Sequence, residues 1–388
     1  MRLPEPGPAA SRARRPFGVA LTLLLVLVVA AGCGYGSRAP VAAVPAAGTG
    51  PALSADEVSV GYFANVAHAT ALAGVQRGYL TRELGGTRLR TQVFNGGPSA
   101  LEALNAGAVD IAWMGPSPAV NGYLRSGGKG VRIVSGAASG GVALVVDEDA
   151  KVRGTDVRGL RIATPEAGNT QDVALLHWIH EQGWDVDPRT GRGDVTVVRQ
   201  SSKEIPTSFR RGTIDGAWVP EPVAAQLVAA GGRVLLDESD LWDDGVFVTA
   251  LVVVDPSFLA DHPDVVEAVL RGAVRTGAWL RDNPADGKTA VNDAIENVTG
   301  RRLDSAVLDA AWRHVSLTDD PLAATLAEQA DRAGRLGLLD LPDGARDTGT
   351  RAALRGIFDL RPLNRVLAER RAPAVDDADL GLAVPASD

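Results

Sequence analysis

From Val58 to Tyr62 apolar and polar positions alternate, the period of a strand with one buried face. From Ala64 to Leu84 apolar residues recur three and four apart, which predicts a helix. Short β-branched runs then return between helical stretches, at Leu89–Phe94, Val109–Trp113, Val131–Ser135, Val142–Val146 and Leu160–Ala163, and again at Val195–Arg199, Ile214–Trp218, Val234–Leu236 and Thr249–Val254. Strands alternating with helices predict α/β layers.

Two stretches of this pattern echo each other. Gly107-Ala108-Val109-Asp110-Ile111-Ala112-Trp113 and Gly212-Thr213-Ile214-Asp215-Gly216-Ala217-Trp218 share Gly, Asp, Ala and Trp at the same offsets, 105 residues apart. A helix-like segment precedes each (Pro98–Ala106, Ile205–Arg211). A proline-bearing turn follows each, Gly115-Pro116-Ser117-Pro118 or Pro220-Glu221-Pro222. Both copies then reach Ala-Leu-Val-Val, at Ala143–Val146 and Ala250–Val253. A period this long exceeds the roughly 20–50 residues of a solenoid repeat and fits two similar α/β lobes. The two Ala-Leu-Val-Val strands are expected to cross between the lobes, placing a ligand in the cleft between them.

The N-terminus carries an address. Arg12, Arg14 and Arg15 precede an apolar run of 15 residues from Phe17 to Ala31, short of the roughly 20 that span a bilayer. Basic, short apolar and small residues in that order predict a signal peptide over residues 1–32. The chain's single cysteine, Cys33, stands directly after Ala30-Ala31-Gly32, which resembles a bacterial lipobox and implies lipidation at Cys33. Arg14-Arg15-Pro16-Phe17 also fits a twin-arginine export signal loosely. Residues 33–56 are rich in Gly, Ala, Pro and Ser and read as a flexible tether.

Composition narrows the choice of partner. The chain of 388 residues holds 47 acidic and 39 basic side chains, a formal charge of −8, and no basic cluster follows the first 15 residues, so no nucleic-acid partner is expected. One cysteine excludes a disulfide framework or a thiolate-rich metal site within one chain. No Gly-x-Ser-x-Gly elbow, phosphate loop or dinucleotide fingerprint is present, and no cofactor and no catalysis are expected. His177 and His180 lie three apart on a predicted helix, but no further His or Glu completes a metal face nearby, and helix packing is the reading.

Taken together, several motifs resemble the substrate-binding lipoproteins of ABC importers in the nitrate, taurine and aliphatic-sulfonate group, whose relatives bind thiamine-pyrimidine precursors. They are Asn95-Gly96-Gly97 before a helix, Ala106-Gly107-Ala108-Val109-Asp110 entering a strand, and Gly115-Pro116-Ser117-Pro118 after it. Asp156 to Ala163, Pro165 with Gly168, and Gly216-Ala217-Trp218-Val219-Pro220-Glu221-Pro222 complete the set, over about Val58 to Leu259. The resemblance implies a two-lobed periplasmic-binding-protein type II fold, with lobe one from 57–146 and 252–365, lobe two from 147–251 and a tail from 366–388. It also implies hinge closure at Val145-Val146 and Val252-Val253. The partners implied are a small-molecule ligand, a permease with its ATPase, and the membrane through the lipid anchor; a monomer is expected.

An oxyanion needs donors without bulk, and helix N-termini supply them. Four such starts are expected to face the cleft: Asn65 to His68 after Phe63, the Gly97 turn, Gly115 with Ser117, and Gly168-Asn169-Thr170. Ser139 is a further candidate. Trp113 and Trp218 occupy equivalent places before the turns, to wall the cleft or to sit in the core. Glu221 either meets a ligand's cationic or hydroxyl end or complements a helix start. No arginine lies within these turns, so a dianion has no obvious partner. The expected function is extracytoplasmic capture of a small organic anion, sulfonate or taurine-like, for import. The alternatives are a pyrimidine-precursor binder, an enzyme of precursor synthesis on the same fold, against which the export signal argues, and a sensor lobe.

Overall fold

The computed structural model describes residues 50–382 except 52, 340 and 342–348. The signal peptide, Cys33, most of the tether and the end of the tail therefore lie outside the described residues. Eleven strands form two sheets among the described residues. The first, in the order β11-β4-β10-β3-β1-β2, comprises β1 (Glu57–Phe63), β2 (Arg88–Phe94), β3 (Ile111–Met114), β4 (Arg132–Gly140), β10 (Val248–Val254) and β11 (Val315–Leu317). The second, in the order β7-β6-β8-β5-β9, comprises β5 (Val142–Asp147), β6 (Arg161–Thr164), β7 (Thr196–Arg199), β8 (Gly216–Pro220) and β9 (Gly232–Asp237).

The sheets repeat one plan. β1 runs parallel to β2 and β3, as β6 does to β7 and β8. β10 is antiparallel to β3 and β4, as β5 is to β8 and β9. The sequence echo has a physical cause here. Asp110 donates its N–H to Ser59 O at 2.8 Å and accepts the Ser59 N–H on Oδ2 at 2.7 Å. Asp215 makes the same pair with Arg161, at 2.8 and 2.7 Å. Each aspartate thus satisfies the edge of the neighbouring parallel strand where its own strand begins.

The Ala-Leu-Val-Val strands do not cross between lobes, contrary to expectation. Residues 142–146 belong wholly to the second sheet and 248–254 to the first. The first crossing is Gly140-Gly141, both at φ +72°, a left-handed backbone that two glycines adopt without strain. The second is Glu238–Phe247, two short 3-10 turns. The expected hinge positions at Val145-Val146 and Val252-Val253 therefore lie inside paired strands. The expected single helix from Ala64 to Leu84 is also broken, into Val66–His68, Ala69–Gln76 and Tyr79–Leu84, with Gly78 at φ +67° at the second break.

Beyond β10 helices predominate among the described residues, and β11 joins the first sheet. Helix Pro263–Asp282 opens on a proline at its first position and buries Val265, Val266, Val269, Leu270 and Val274 along one face. These pack with Leu72, Leu80 and Leu84 and the strand residues Val58, Val60 and Leu89 into the main core. Truncating such a buried leucine to alanine costs about 2–5 kcal/mol. Among the described residues no helix is long and apolar enough to cross a membrane.

Candidate functional site

The turns after β1, β2 and β3 and those after β6 and β8 gather at the carboxyl ends of parallel strands, where open α/β sheets place their ligand sites. Among the described residues, contacts between the lobes across this cleft include the following. Ser117 N–H donates to Thr170 Oγ1 at 3.4 Å. Gly96 faces Glu166, whose carboxylate lies 2.6 Å from where a Cβ on Gly96 would stand. Val66 packs in one cluster with Ala225 and the helix Ser305–His314. The lobes are closed on each other in this structure.

Several expected donors prove to be used within the fold. After β1, Asn65 Oδ1 accepts the His68 N–H at 3.1 Å, His68 Nδ1 accepts the Phe63 N–H at 3.1 Å, and the Phe63 and His68 rings stack at 4.4 Å. Burial pushes the His68 pKa down to about 3, so its ring is neutral. In the second lobe Gly168 N–H donates to Asp172 Oδ2 at 3.0 Å and Thr170 N–H to Asn169 Oδ1 at 2.7 Å. Asp172 is anchored in turn by Thr164 and by Arg199 Nε at 2.9 Å. The start of helix Thr170–Glu181 is thus complemented by its own acid, and the Gly168 and Thr170 N–H groups do not face the cleft unpaired.

Trp113 lies in the core, its indole N–H donating to Thr70 Oγ1 at 3.0 Å. Trp218 is equally buried and donates to Glu238 Oε2 at 2.8 Å. Glu221 takes up the helix-start role: its N–H donates to Gly141 O and its Oε2 accepts the Ala225 N–H at 3.0 Å. Burial pushes its pKa up, and the Ala225 N–H opposes that. Gly97 begins a helix beneath Pro118, where any side chain would strike the proline ring. Ser117, buried, and Gly115 are expected residues that the fold brings against Thr170 across the lobes; among the described residues the Ser117 hydroxyl has no hydrogen-bond partner. Ser139 pairs with Val248 and Ser316 and lines an open cavity of about 380 Å³ with Asp237, Arg313 and His314.

Sequence reasoning missed a second, smaller cavity of about 20 Å³, lined in part by Ser117 and Thr170. Its walls include His177, Trp218, Glu238, Trp242, Gln329 and Arg332. Gln329 and Arg332 stand on helix Ala323–Arg335, which the periodicity of the chain alone does not tie to the lobe boundary. Among the described residues no group of three or more His, Cys, Asp or Glu side chains is placed to hold a metal ion.

Comparison with known proteins gives this arrangement a family. The Escherichia coli K12 taurine-binding periplasmic protein is 30% identical over 181 residues, 47% of this chain and 54% of that protein, so the match spans about half the relative's length. Among solved structures, the alkanesulfonate-binding protein of Xanthomonas axonopodis pv. citri, bound to MOPS, superposes with a TM-score of 0.61 at 21% identity, over 73% of this chain and 94% of that one. The periplasmic nitrate-binding protein of Synechocystis PCC 6803 superposes with a TM-score of 0.69 at 15% identity, over 86% and 93%. The two-lobed fold is that of these periplasmic binding proteins. The profile of the NMT1-like family matches residues 52–294, well over half of the sequence, and the chain belongs to that family.

Proposed function

We propose that this protein is the extracytoplasmic solute-binding component of an ABC importer, taking a small organic anion of the sulfonate or taurine class. The observation that carries the reading is the approach of Ser117 and Thr170 from opposite lobes at the ends of β3 and β6, within a fold whose named relatives are binding proteins rather than enzymes. With the Gly168 and Thr170 N–H groups already used, the anionic head falls to the Ser117 and Thr170 hydroxyls and the start of helix Pro116–Arg125. No arginine among these turns means a monoanion suits the site better than a dianion. Cys33 holds the protein by lipid to the outer face of the cytoplasmic membrane, and a permease with its ATPase receives the closed form. Cys33→Ser is expected to leave the membrane fraction with ligand affinity intact; retention there equal to wild type refutes the anchor.

The test of the binding reading is calorimetric titration of the soluble part with taurine, ethanesulfonate, nitrate, pyrimidines and amino acids. X-ray scattering is measured alongside. A sulfonate that binds and lowers the radius of gyration supports the proposal. Tight binding of a pyrimidine alone moves the assignment to the precursor-binding relatives.

A further inference from the structure

The smaller cavity, which Ser117 and Thr170 also line, is walled by three residues that each leave one buried polar atom without a hydrogen-bond partner among the described residues: His177 Nδ1, Trp242 Nε1 and Gln329 Oε1. Such atoms are rare in folded proteins and signal something unaccounted for. His177 is 9% exposed and Gln329 7%. The three come from different parts of the fold. His177 stands on helix Thr170–Glu181 of the second lobe, Gln329 on helix Ala323–Arg335 packed on the first, and Trp242 in the second crossing.

We propose that this cavity is a binding site for one ordered water molecule that joins the two lobes and the second crossing. The size suits it: about 20 Å³ is room for one water. The chemistry suits it as well. Gln329 Nε2 donates to Val248 O at 2.9 Å, which fixes the amide and leaves Oε1 as an acceptor. His177 is held neutral, burial first and then Arg332 pushing its pKa down to about 4, so Nδ1 is an acceptor in the Nε2–H tautomer. Trp242 Nε1–H is a donor whose contact with Glu238 lowers that carboxyl but falls short of full hydrogen-bond geometry. One water, with two protons and two lone pairs, satisfies two acceptors and one donor. Arg332 closes one wall, its guanidinium 3.8 Å from the Trp242 ring centre and paired with Glu328 at 2.9 Å. The water is part of the closed arrangement, because separating the lobes parts His177 from Gln329.

Dry and wet cavities predict opposite outcomes for His177→Leu. In a dry cavity the substitution removes an unsatisfied atom and leaves the folding equilibrium constant equal or higher. In a wet one it removes a hydrogen bond and lowers that constant about two- to thirteenfold. Urea unfolding of wild type, His177→Leu, Gln329→Met and the double variant completes the test. The two side chains share no direct bond, so a shared water makes their effects non-additive, by about twofold or more, while the lost Val248 contact cancels from the cycle. Additive effects, or a His177→Leu variant as stable as wild type, overturn the proposal. A high-resolution crystal structure of the closed protein serves as the direct check. Density for one water within hydrogen-bond distance of all three atoms supports the site; an empty cavity there refutes it.

Discussion

The indole N–H of Trp218 donates to Glu238 Oε2 at 2.8 Å, tying a central strand of the second sheet to the segment that carries the chain back to the first. Glu238 is buried, and burial pushes its pKa up to about 7 despite that bond. The folded protein therefore holds a proton that the unfolded chain, with its carboxyl near 4.5, has released. The stabilising contribution is complete below about pH 4.5 and is lost as pH rises through 7, with a slope approaching about 1.4 kcal/mol per pH unit inside that window. Glu238→Gln keeps an acceptor for Trp218 and removes the titration. The difference in unfolding free energy between variant and wild type, measured in urea from pH 4.5 to 8, should swing in the variant's favour as pH rises and level off above 7. A difference independent of pH shows that Glu238 titrates as an ordinary carboxyl.

The paired aspartates of the two lobes differ in charge environment. Asp215 accepts from Arg161 Nε at 2.9 Å as well as from the backbone, and that side chain holds its pKa down. Among the described residues Asp110 has no such partner, and burial, then Asp255 and Glu57, raise its pKa against the Ser59 N–H. Near neutral pH, Asp215→Asn should cost about 1.5–3 kcal/mol, the range for hydrogen bonds to charged groups, and Asp110→Asn about 0.5–1.5 kcal/mol. The Asp215 contribution is present above the unfolded pKa and fades as pH falls through its lowered folded value. Chemical denaturation of both variants at pH 7 and pH 3 checks the order and its loss in acid.

The paired plan of the two sheets was legible because a local need wrote it twice: Asp110 and Asp215 each close a parallel strand edge within a short, fixed pattern. The nine strands read from β-branched runs were legible for a similar reason, since buried strands need such residues wherever they sit. The crossings were not, because the eye follows apolar strands while the turn between sheets depends on backbone sign at Gly140 and Gly141. Helix starts were visible, but not whether their donors were free. That depends on Asp172 and on Arg199, which comes from a different strand. Likewise the indoles of Trp113 and Trp218 met Thr70 and Glu238, partners that only the packed fold assigns.

Glu221 can now be tested on two separate counts. Its Oε2 accepts the Ala225 N–H at the start of helix Val223–Ala229, so Glu221→Ala should destabilise the fold by about 0.5–2 kcal/mol, as loss of a cap does. Glu221→Gln keeps an acceptor and should leave the melting temperature nearly unchanged. If the carboxylate also meets an ammonium group, Glu221→Gln weakens taurine about thirtyfold or more and leaves ethanesulfonate nearly alone. Equal affinities for both ligands in Glu221→Gln and wild type confine the residue to its helix.

Gly115 offers a way to separate closure from folding. Its backbone, at φ −75° and ψ 163°, suits any residue, so a side chain there carries no conformational penalty. The obstruction comes from the opposite lobe: a Cβ on Gly115 would stand 2.5 Å from Thr170 Oγ1 and 3.5 Å from Thr170 Cβ, whereas the nearest atom of its own lobe, Thr249 O, is 3.7 Å away. Alanine can be accommodated by rotating the Thr170 hydroxyl aside, and its effect should be small. Valine cannot, and Gly115→Val should wedge the lobes apart. Overpacking of this kind costs about 1–3 kcal/mol, and charged to the closed state alone it weakens binding about fivefold to 150-fold. The open protein should unfold near the wild-type midpoint, because the clash vanishes once the lobes part. Thr170→Ala in the Gly115→Val background removes the obstructing atom and should recover part of the ligand-induced compaction at saturation, though the lost hydroxyl keeps affinity low; a general loss of stability at Gly115 would not allow that recovery. Titration with taurine and ethanesulfonate, with the radius of gyration measured at saturation, decides the matter. Wild-type affinity and wild-type compaction in Gly115→Val mean that the lobes do not close through this contact.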